Sequence, residues 1–234
     1  MIEQPLVSII LTLYEIKLEY LYECLNSILN QTYQNLEIVC INDASPNVNY
    51  DEITKLSPKI KLYINEKNLG MNKSVNKAFS LTTGKYLVRL GSDDIFDKDL
   101  IKKEVELLEE NPSVGAVCCE LKRFGDYDQH ITRPKEWNYE KIIKNKQTAG
   151  TGYAGGMMFK KEVLDYCSID ESLKMCEDFD FHLQILKRMP ILSIHEILYY
   201  YRSHETNLCK SISRQNRRSL LEKIFNKHLE LLDK

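Results

Sequence analysis

Two pairs of adjacent acids stand out in this chain. Asp93 and Asp94 end the run KYLVRLGSDD, and Glu177 and Asp178 lie within CEDFDF. Adjacent carboxylates repel unless a cation shares their charge, and a hard divalent ion with oxygen ligands does so. A solvated turn or a helix N-cap would also place two acids at 93–94. Glu177 and Asp178 open a helical pattern, where the helix dipole favours an anion and keeps a carboxylate ionised. That state suits a general base, which must be deprotonated before it acts; an ordinary acidic helix start reads the same way. In YYYRSHETN, Arg202 stands two residues before His204, and a cation and an imidazole at a strand end can hold a diphosphate or a metal. The segment TAGTGYAGG (148–156) holds four of the nine glycines. Its backbone N–H groups could approach an anion, although it lacks the Lys-Ser/Thr ending of a phosphate loop. Of the other histidines, His130 and His228 are expected at the surface and His182 inside a helix.

The elements that must position these residues alternate. LVSIILTL (6–13), LEIVCIN (36–42), KLYI (61–64), KYLVRL (85–90) and VGAVCCEL (114–121) read as buried strands. Helical spacing separates them at 18–30, 71–81 and 98–110. Such alternation predicts an α/β layer structure with a largely parallel sheet. Ligands of such sheets sit beyond the carboxyl ends of the strands, which here are Thr12-Leu13-Tyr14-Glu15, Asn42-Asp43-Ala44-Ser45 and Gly91-Ser92-Asp93-Asp94. Further along, the pattern predicts a helical KKEVLDYC, a helix over 176–188 and two short strands near 191–195 and 197–202. An amphipathic helix over 213–232 has Leu220, Leu221, Ile224, Phe225, Leu229 and Leu232 on one side.

Composition narrows the class. The 234 residues are 43% hydrophobic and 28% charged, which suits one large domain or two small ones and excludes overall disorder. With 32 basic against 34 acidic residues, the chain is not a binder of nucleic acid dominated by phosphate neutralisation. No run approaches the roughly 18 apolar residues of a membrane span, and MIEQPLVSII lacks the basic start of a secretory signal. Seven scattered cysteines include no CxxC pair. Reduced thiols in a cytoplasmic protein are expected, with Cys24, Cys40 and Cys118 in the core.

VSIILTLYE, LYECLNSILNQTYQNLEIVCINDASPN and NEKNLGMNKSVNKAFSLTTGKYLVRLGSDDIF are followed by GGMMFKKEVL, CEDFDF and YYYRSHETN, spanning most of residues 6–209. In this combination the chain resembles the family 2 glycosyltransferases. The resemblance implies the α/β GT-A fold: a Rossmann-like, mostly parallel central sheet flanked by helices, followed here by a C-terminal amphipathic helix. It implies a transferase domain over 1–209, with a nucleotide-sugar half (1–95) and an acceptor half (96–209), and a helical tail over 210–234. Matched residue by residue, Thr12, Tyr14 and Glu15 fall near the base and ribose, Asp43 at the base, and Asn68 in the donor site. Asp93 matches the last acid of the family's Asp-x-Asp metal motif and Asp94 the acid after it. Gly155, Gly156 and Arg202 match donor-site positions. Asp178 matches the general base, and His204 a position near the diphosphate or metal. Asp93, Asp94 and His204 are therefore the expected ligands of Mg2+ or Mn2+. Two positions depart from the pattern: Gly91 stands where relatives carry the first acid of the metal motif, and Asn42 where they often carry the first of an acid pair.

The implied reaction is sugar transfer with inversion, from a nucleoside-diphosphate sugar (by default a UDP-sugar) to a hydroxyl of a glycan or lipid-linked acceptor. The product would belong to cell-surface polysaccharide or glycan. A nucleotidyltransferase would want a glycine- and arginine-rich signature at the first strand, which LTLYEIK is not. A catalytically silent sugar-nucleotide-binding subunit is the alternative that Gly91 keeps open. The basic residues Lys210, Arg214, Arg217, Arg218, Lys223 and Lys227 suggest a tail helix that contacts an anionic membrane at its inner face.

Overall fold

The structure is a computed structural model that describes residues 4–148, 155–210 and 212–232. In chain order its elements are β1 (Val7–Leu13), α1 (Leu18–Leu29), β2 (Leu36–Asn42), α2 (Tyr50–Thr54), β3 (Ile60–Ile64) and α3 (Met71–Leu81). Then come β4 (Tyr86–Arg89), β5 (Ile95–Phe96), α4 (Leu100–Glu110), β6 (Ala116–Gly125), β7 (Gln129–Ile131) and α5 (Tyr139–Lys144). The chain ends with β8 (Met157–Lys160), α6 (Glu177–Leu186), β9 (Ile191–Ser203) and α7 (Arg214–Leu229).

One sheet runs in the order β3-β2-β1-β4-β8-β6-β9-β5, with β7 on β6. The pairs β3-β2, β2-β1 and β1-β4 are parallel, as is β6-β9, while β8 joins the two groups antiparallel to both β4 and β6. Successive residues of β1 serve opposite faces, as the pleat dictates. Val7, Ile9, Leu11 and Leu13 pack with residues of α1 and α4. Ile10 packs on the other face with residues of α3, α6 and α7. Both faces are covered, which is why the early strands read as unbroken apolar runs. Cys24, Cys40 and Cys118 are all fully buried in this core.

KKEVLDYC is helical over Lys161–Asp165, as a short 3-10 helix. Two expectations change. The two short strands near 191 and 197 are one strand, β9. Its pairing with β6 slips between Cys119 and Leu121, so that the polar His195-Glu196 lies in a bulge. His228, expected at the surface, is fully buried. Its Nε2 lies 3.0 Å from Asp180 Oδ1 and its Nδ1 2.8 Å from the Tyr139 hydroxyl. Lys227 donates to the other Asp180 oxygen at 2.8 Å. Burial alone would raise the Asp180 carboxyl, but His228 and Lys227 hold it below its ordinary range. The tail helix is thereby tied to α6, with the Phe225 and Phe179 rings 5.5 Å apart. Of the six basic residues expected on its polar side, Lys227 is spent on Asp180 and Lys210 on Asp126.

A second buried carboxylate fastens the amino ends of the sheet. Glu37, 4% exposed, accepts from the Ser8 hydroxyl at 2.5 Å, the Thr83 amide at 2.6 Å and the Lys61 ammonium at 2.7 Å. Burial opposes its charge, yet these donors lower its pKa to about 2. Its stabilisation is present above the ordinary carboxylate range and is lost as pH falls toward 2. Glu37→Gln is expected to cost roughly 2–3 kcal/mol at pH 7 in urea unfolding. The gap from the parent should close on acidification. Equal stability at pH 7 would contradict this account of the sheet.

Candidate active site

The carboxyl ends of β1, β2 and β4 open on one side of the sheet, where three tight turns meet. After β1, Glu15 takes a left-handed backbone (φ 47) and its amide donates to the Ser45 hydroxyl at 2.8 Å. After β2, Asn42 caps its own turn by accepting from the Ser45 amide at 2.7 Å. A neutral side chain does this as well as an acid, which accounts for Asn42 at that position. Asp43 is buried and fully engaged. It accepts from the Asn65 amide group at 2.7 Å, the Leu69 N–H at 2.8 Å and the Gly70 N–H at 2.9 Å. It thus shapes the Asn68-Leu69-Gly70 approach to α3. Tyr14, half exposed, has Glu15, Asn68 and Asp43 around its hydroxyl, and the Glu15 contact raises its pKa.

After β4 the chain makes the acidic turn. The Asp94 N–H donates to the Gly91 carbonyl at 3.0 Å. Asp94 is buried; the Tyr199 hydroxyl donates to Oδ2 at 2.5 Å and the Arg202 amide to Oδ1 at 2.8 Å. Burial, then the charge of Asp93, push its carboxyl well above the ordinary range. The structure therefore places Asp94 as a brace of the turn and not as an open ligand. A Cβ at Gly91 would stand 2.5 Å from Asp94 Oδ2. An aspartate at 91 would displace that carboxylate, and glycine leaves room for it.

Asp93 is presented by the segment that follows β9. His204 Nε2 lies 2.8 Å from Asp93 Oδ2, Asn207 donates to the same oxygen at 3.3 Å, and Arg202 Nε donates to the Asp93 carbonyl at 2.8 Å. The other His204 nitrogen pairs with the Thr206 hydroxyl at 2.9 Å. His204 thus orients Asp93, and would have to leave it to reach a cation. The Arg202 guanidinium is held in turn, 4.3 Å over the Tyr20 ring, 4.7 Å over Phe124 and paired with Glu23. It supports the turn and does not line the cavity beside it.

That cavity, of about 170 Å3, is lined by Thr12, Met71, Arg89, Gly91, Asp94, Gly155, Asp178, Tyr199 and their neighbours. Asp178 lies in the first turn of α6, which starts from Cys176 in a left-handed conformation (φ 64). The Phe179 N–H donates to its Oδ1 at 2.7 Å. Gly155 and Gly156 face Tyr199: a Cβ on Gly155 would come 2.6 Å from the ring, and one on Gly156 (φ 67) 2.4 Å from Cys119 Sγ. These glycines are required by close packing. The rest of the glycine-rich segment, 149–154, lies outside the described residues.

The structure thus gathers Thr12, Gly155, Asp178 and Asp94 at one cavity, with Asp93, Arg202 and His204 at the acidic turn. Tyr14, Glu15, Asp43 and Asn68 form a separate group at the β1 and β2 ends. Sequence reading missed Tyr199, Asn207, Tyr20 and Arg89. Only Arg89, a cation inside the apolar run KYLVRL, carried a visible signal.

The chain is similar to known glycosyltransferases in sequence and in fold. The family model described as Glycosyl transferase family 2 matches residues 8–186. An uncharacterized glycosyltransferase of Haemophilus influenzae is 41% identical over 116 residues, covering 48% of this chain and 36% of the relative. The S. aureus protein TarS (residues 1–349), solved with UDP-GlcNAc, superposes with a TM-score of 0.74 at 22% identity, over 93% of this chain and 65% of that one. The mannosyltransferase PcManGT of Pyrobaculum calidifontis, solved with GDP-Man and Mn2+, superposes with a TM-score of 0.72 at 17% identity, over 98% and 65%. The chain spans about a third of the curated relative's length and about two thirds of each solved neighbour.

Proposed function

The chain belongs to glycosyl transferase family 2, and we propose that it moves a sugar, hexosyl or N-acetylhexosaminyl, from a UDP-sugar to an acceptor hydroxyl with inversion. The observation that carries this reading is the placement of Asp178 on the cavity that Thr12, Gly91 and Gly155 line, beside the acidic turn. In this reading Thr12, Tyr14, Asn68 and the Asp43-shaped loop receive the nucleoside. Asp178 accepts the proton of the acceptor hydroxyl as that oxygen attacks the anomeric carbon, and the nucleoside diphosphate departs from the opposite face through an oxocarbenium-like transition state.

A divalent cation, Mg2+ or Mn2+, fits the acidic turn in a limited way. Among the described residues no group of three or more His, Cys, Asp or Glu side chains is placed to hold an ion. The bonds from His204 and Asn207 both end on Asp93 Oδ2, while Oδ1 faces the space over Gly91, 3.0 Å from where a Cβ would stand. One carboxylate oxygen suits an ion that takes its remaining ligands from a diphosphate and water. When bound, such an ion neutralises charge on the leaving diphosphate. Asp93 would hold it, with Asp94, His204 and Arg202 keeping Asp93 in place.

We place the acceptor as a glycan or lipid-linked sugar of a surface polysaccharide, met at the cytoplasmic face of a membrane. No helix among the described residues is long and apolar enough to cross a membrane. Arg214, Arg218 and Lys223 are exposed on α7 and supply the basic side that an anionic surface would meet. The test of the function is a panel of UDP-, GDP- and dTDP-sugars scored for metal-dependent nucleotide release. Release from a UDP-sugar is the expected result. Tight binding across the panel with no release would favour the silent-subunit reading, which the glycine at position 91 motivates.

A further inference from the structure

Arg89 is an anomaly in β4. The strand is buried on both sides, yet it ends in a cation whose side chain is only 16% exposed. The guanidinium lies 3.6 Å from Glu177 Oε1, and Glu177, 7% exposed, is the residue before Asp178. Arg89 and Asp178 line the same cavity. The pair therefore joins the strand leading into the acidic turn to the helix that carries the candidate base. Burial, then the charge of Asp178, raise the Glu177 pKa, and Arg89 pulls against both. Among the described residues, Cys176 and, from α7, Arg217, which interacts with the Cys176 thiol, also face this helix start.

We propose that Arg89 is a positioning residue for the transfer reaction: it anchors Glu177, fixes the first turn of α6, and balances the second carboxylate beside Asp178. This rests on the reading of Asp178 as the base. A buried Glu177 next to the partly exposed Asp178 at a helix start would otherwise be repelled by it, and the cheapest relief is protonation of Glu177 or a turn of one side chain away from the cavity. Arg89 removes the need for either. An arginine at the carboxyl end of a buried strand is in this way explained by the helix it faces.

The test compares Arg89→Met, Arg89→Lys and the neutral double variant Arg89→Met with Glu177→Gln. One readout is kcat against pH for hydrolysis of UDP-N-acetylglucosamine. The other is a 13C carboxyl titration of Glu177 in the ligand-free protein, assigned with Glu177→Gln. Arg89→Met should move the acidic limb of kcat, and the Glu177 titration, up by about one pH unit or more, with donor KM within about twofold. Arg89→Lys should retain the parent profile, and the double variant should restore the limb. If Arg89→Met does not fold, the lysine and double variants still carry the comparison. A rate loss equal at every pH, or one that neither lysine nor the double variant restores, would overturn the proposal, as would an unmoved Glu177 titration. The titration needs no turnover, so it decides the pairing even if the transferase reading fails.

Discussion

Asp178→Asn will fold and bind donor but lose transfer by about 100- to 10,000-fold, the usual contribution of a positioned base. Asparagine keeps the shape of the side chain, and its amide oxygen can still accept the Phe179 N–H that now ends on Asp178 Oδ1 at 2.7 Å. What it cannot do is take a proton from an attacking hydroxyl. The loss should therefore fall on kcat, with donor affinity within a few-fold of the parent. A parallel fall in donor affinity would assign Asp178 to binding, and near-parental kcat would remove it from the chemistry. The measurement is a steady-state comparison at saturating donor, with thermal melting as the check on folding.

Asp93→Ala should cost on the order of 100-fold or more in kcat/KM, because it removes the carboxylate that would hold a cation whose charge offsets that of the diphosphate. Nucleotide affinity measured with Mn2+ should fall with it. Excess chelator should bring the parent down to the level of the variant and leave the variant unchanged. The substitution also frees His204 Nε2 and the Asn207 amide from Asp93 Oδ2, so a melt is needed to separate a loosened turn from a lost ligand. Asn207→Ala supplies that separation: it removes the support and keeps the carboxylate, and should lower activity far less. Parent activity that survives the chelator would exclude a metal role for Asp93.

The parts of the fold legible in the sequence were those fixed by local pattern. The runs at 7–13 and 36–42 are buried on both faces, and α3 follows the spacing of Val75, Ala78 and Phe79. Elements stabilised by distant partners were not legible. The two-residue strand Ile95–Phe96 exists because it pairs with Tyr199 and Tyr200, and β9 passes through His195-Glu196 because β6 continues beside it. His228 reads as a surface residue on a mostly polar helix; only its contacts with Asp180 and Tyr139 take it inside.

The site divides in the same manner. Asp93, Asp178 and Asp43 stand at element ends, which marked them as candidates, and the family resemblance rather than position chose among the neighbouring acids. What each does depends on neighbours remote in the chain. Asp43 turns out to organise the Leu69-Gly70 amides. Asp94 is consumed by Tyr199 and the Arg202 amide, and Arg202 is held between Tyr20 and Phe124. No spacing rule connects residues about a hundred positions apart, so the difference between a ligand and the group that braces it appears only in three dimensions.

The most direct test of the account follows the anomeric proton of an α-linked UDP-sugar by NMR in the presence of Mg2+, with the parent protein and with Asp178→Asn. The account predicts that the parent consumes the donor signal, that the β-anomer is the first product, and that Asp178→Asn leaves the donor intact over the same period. A first product of α configuration, or a donor that binds and is never consumed by the parent, would contradict it.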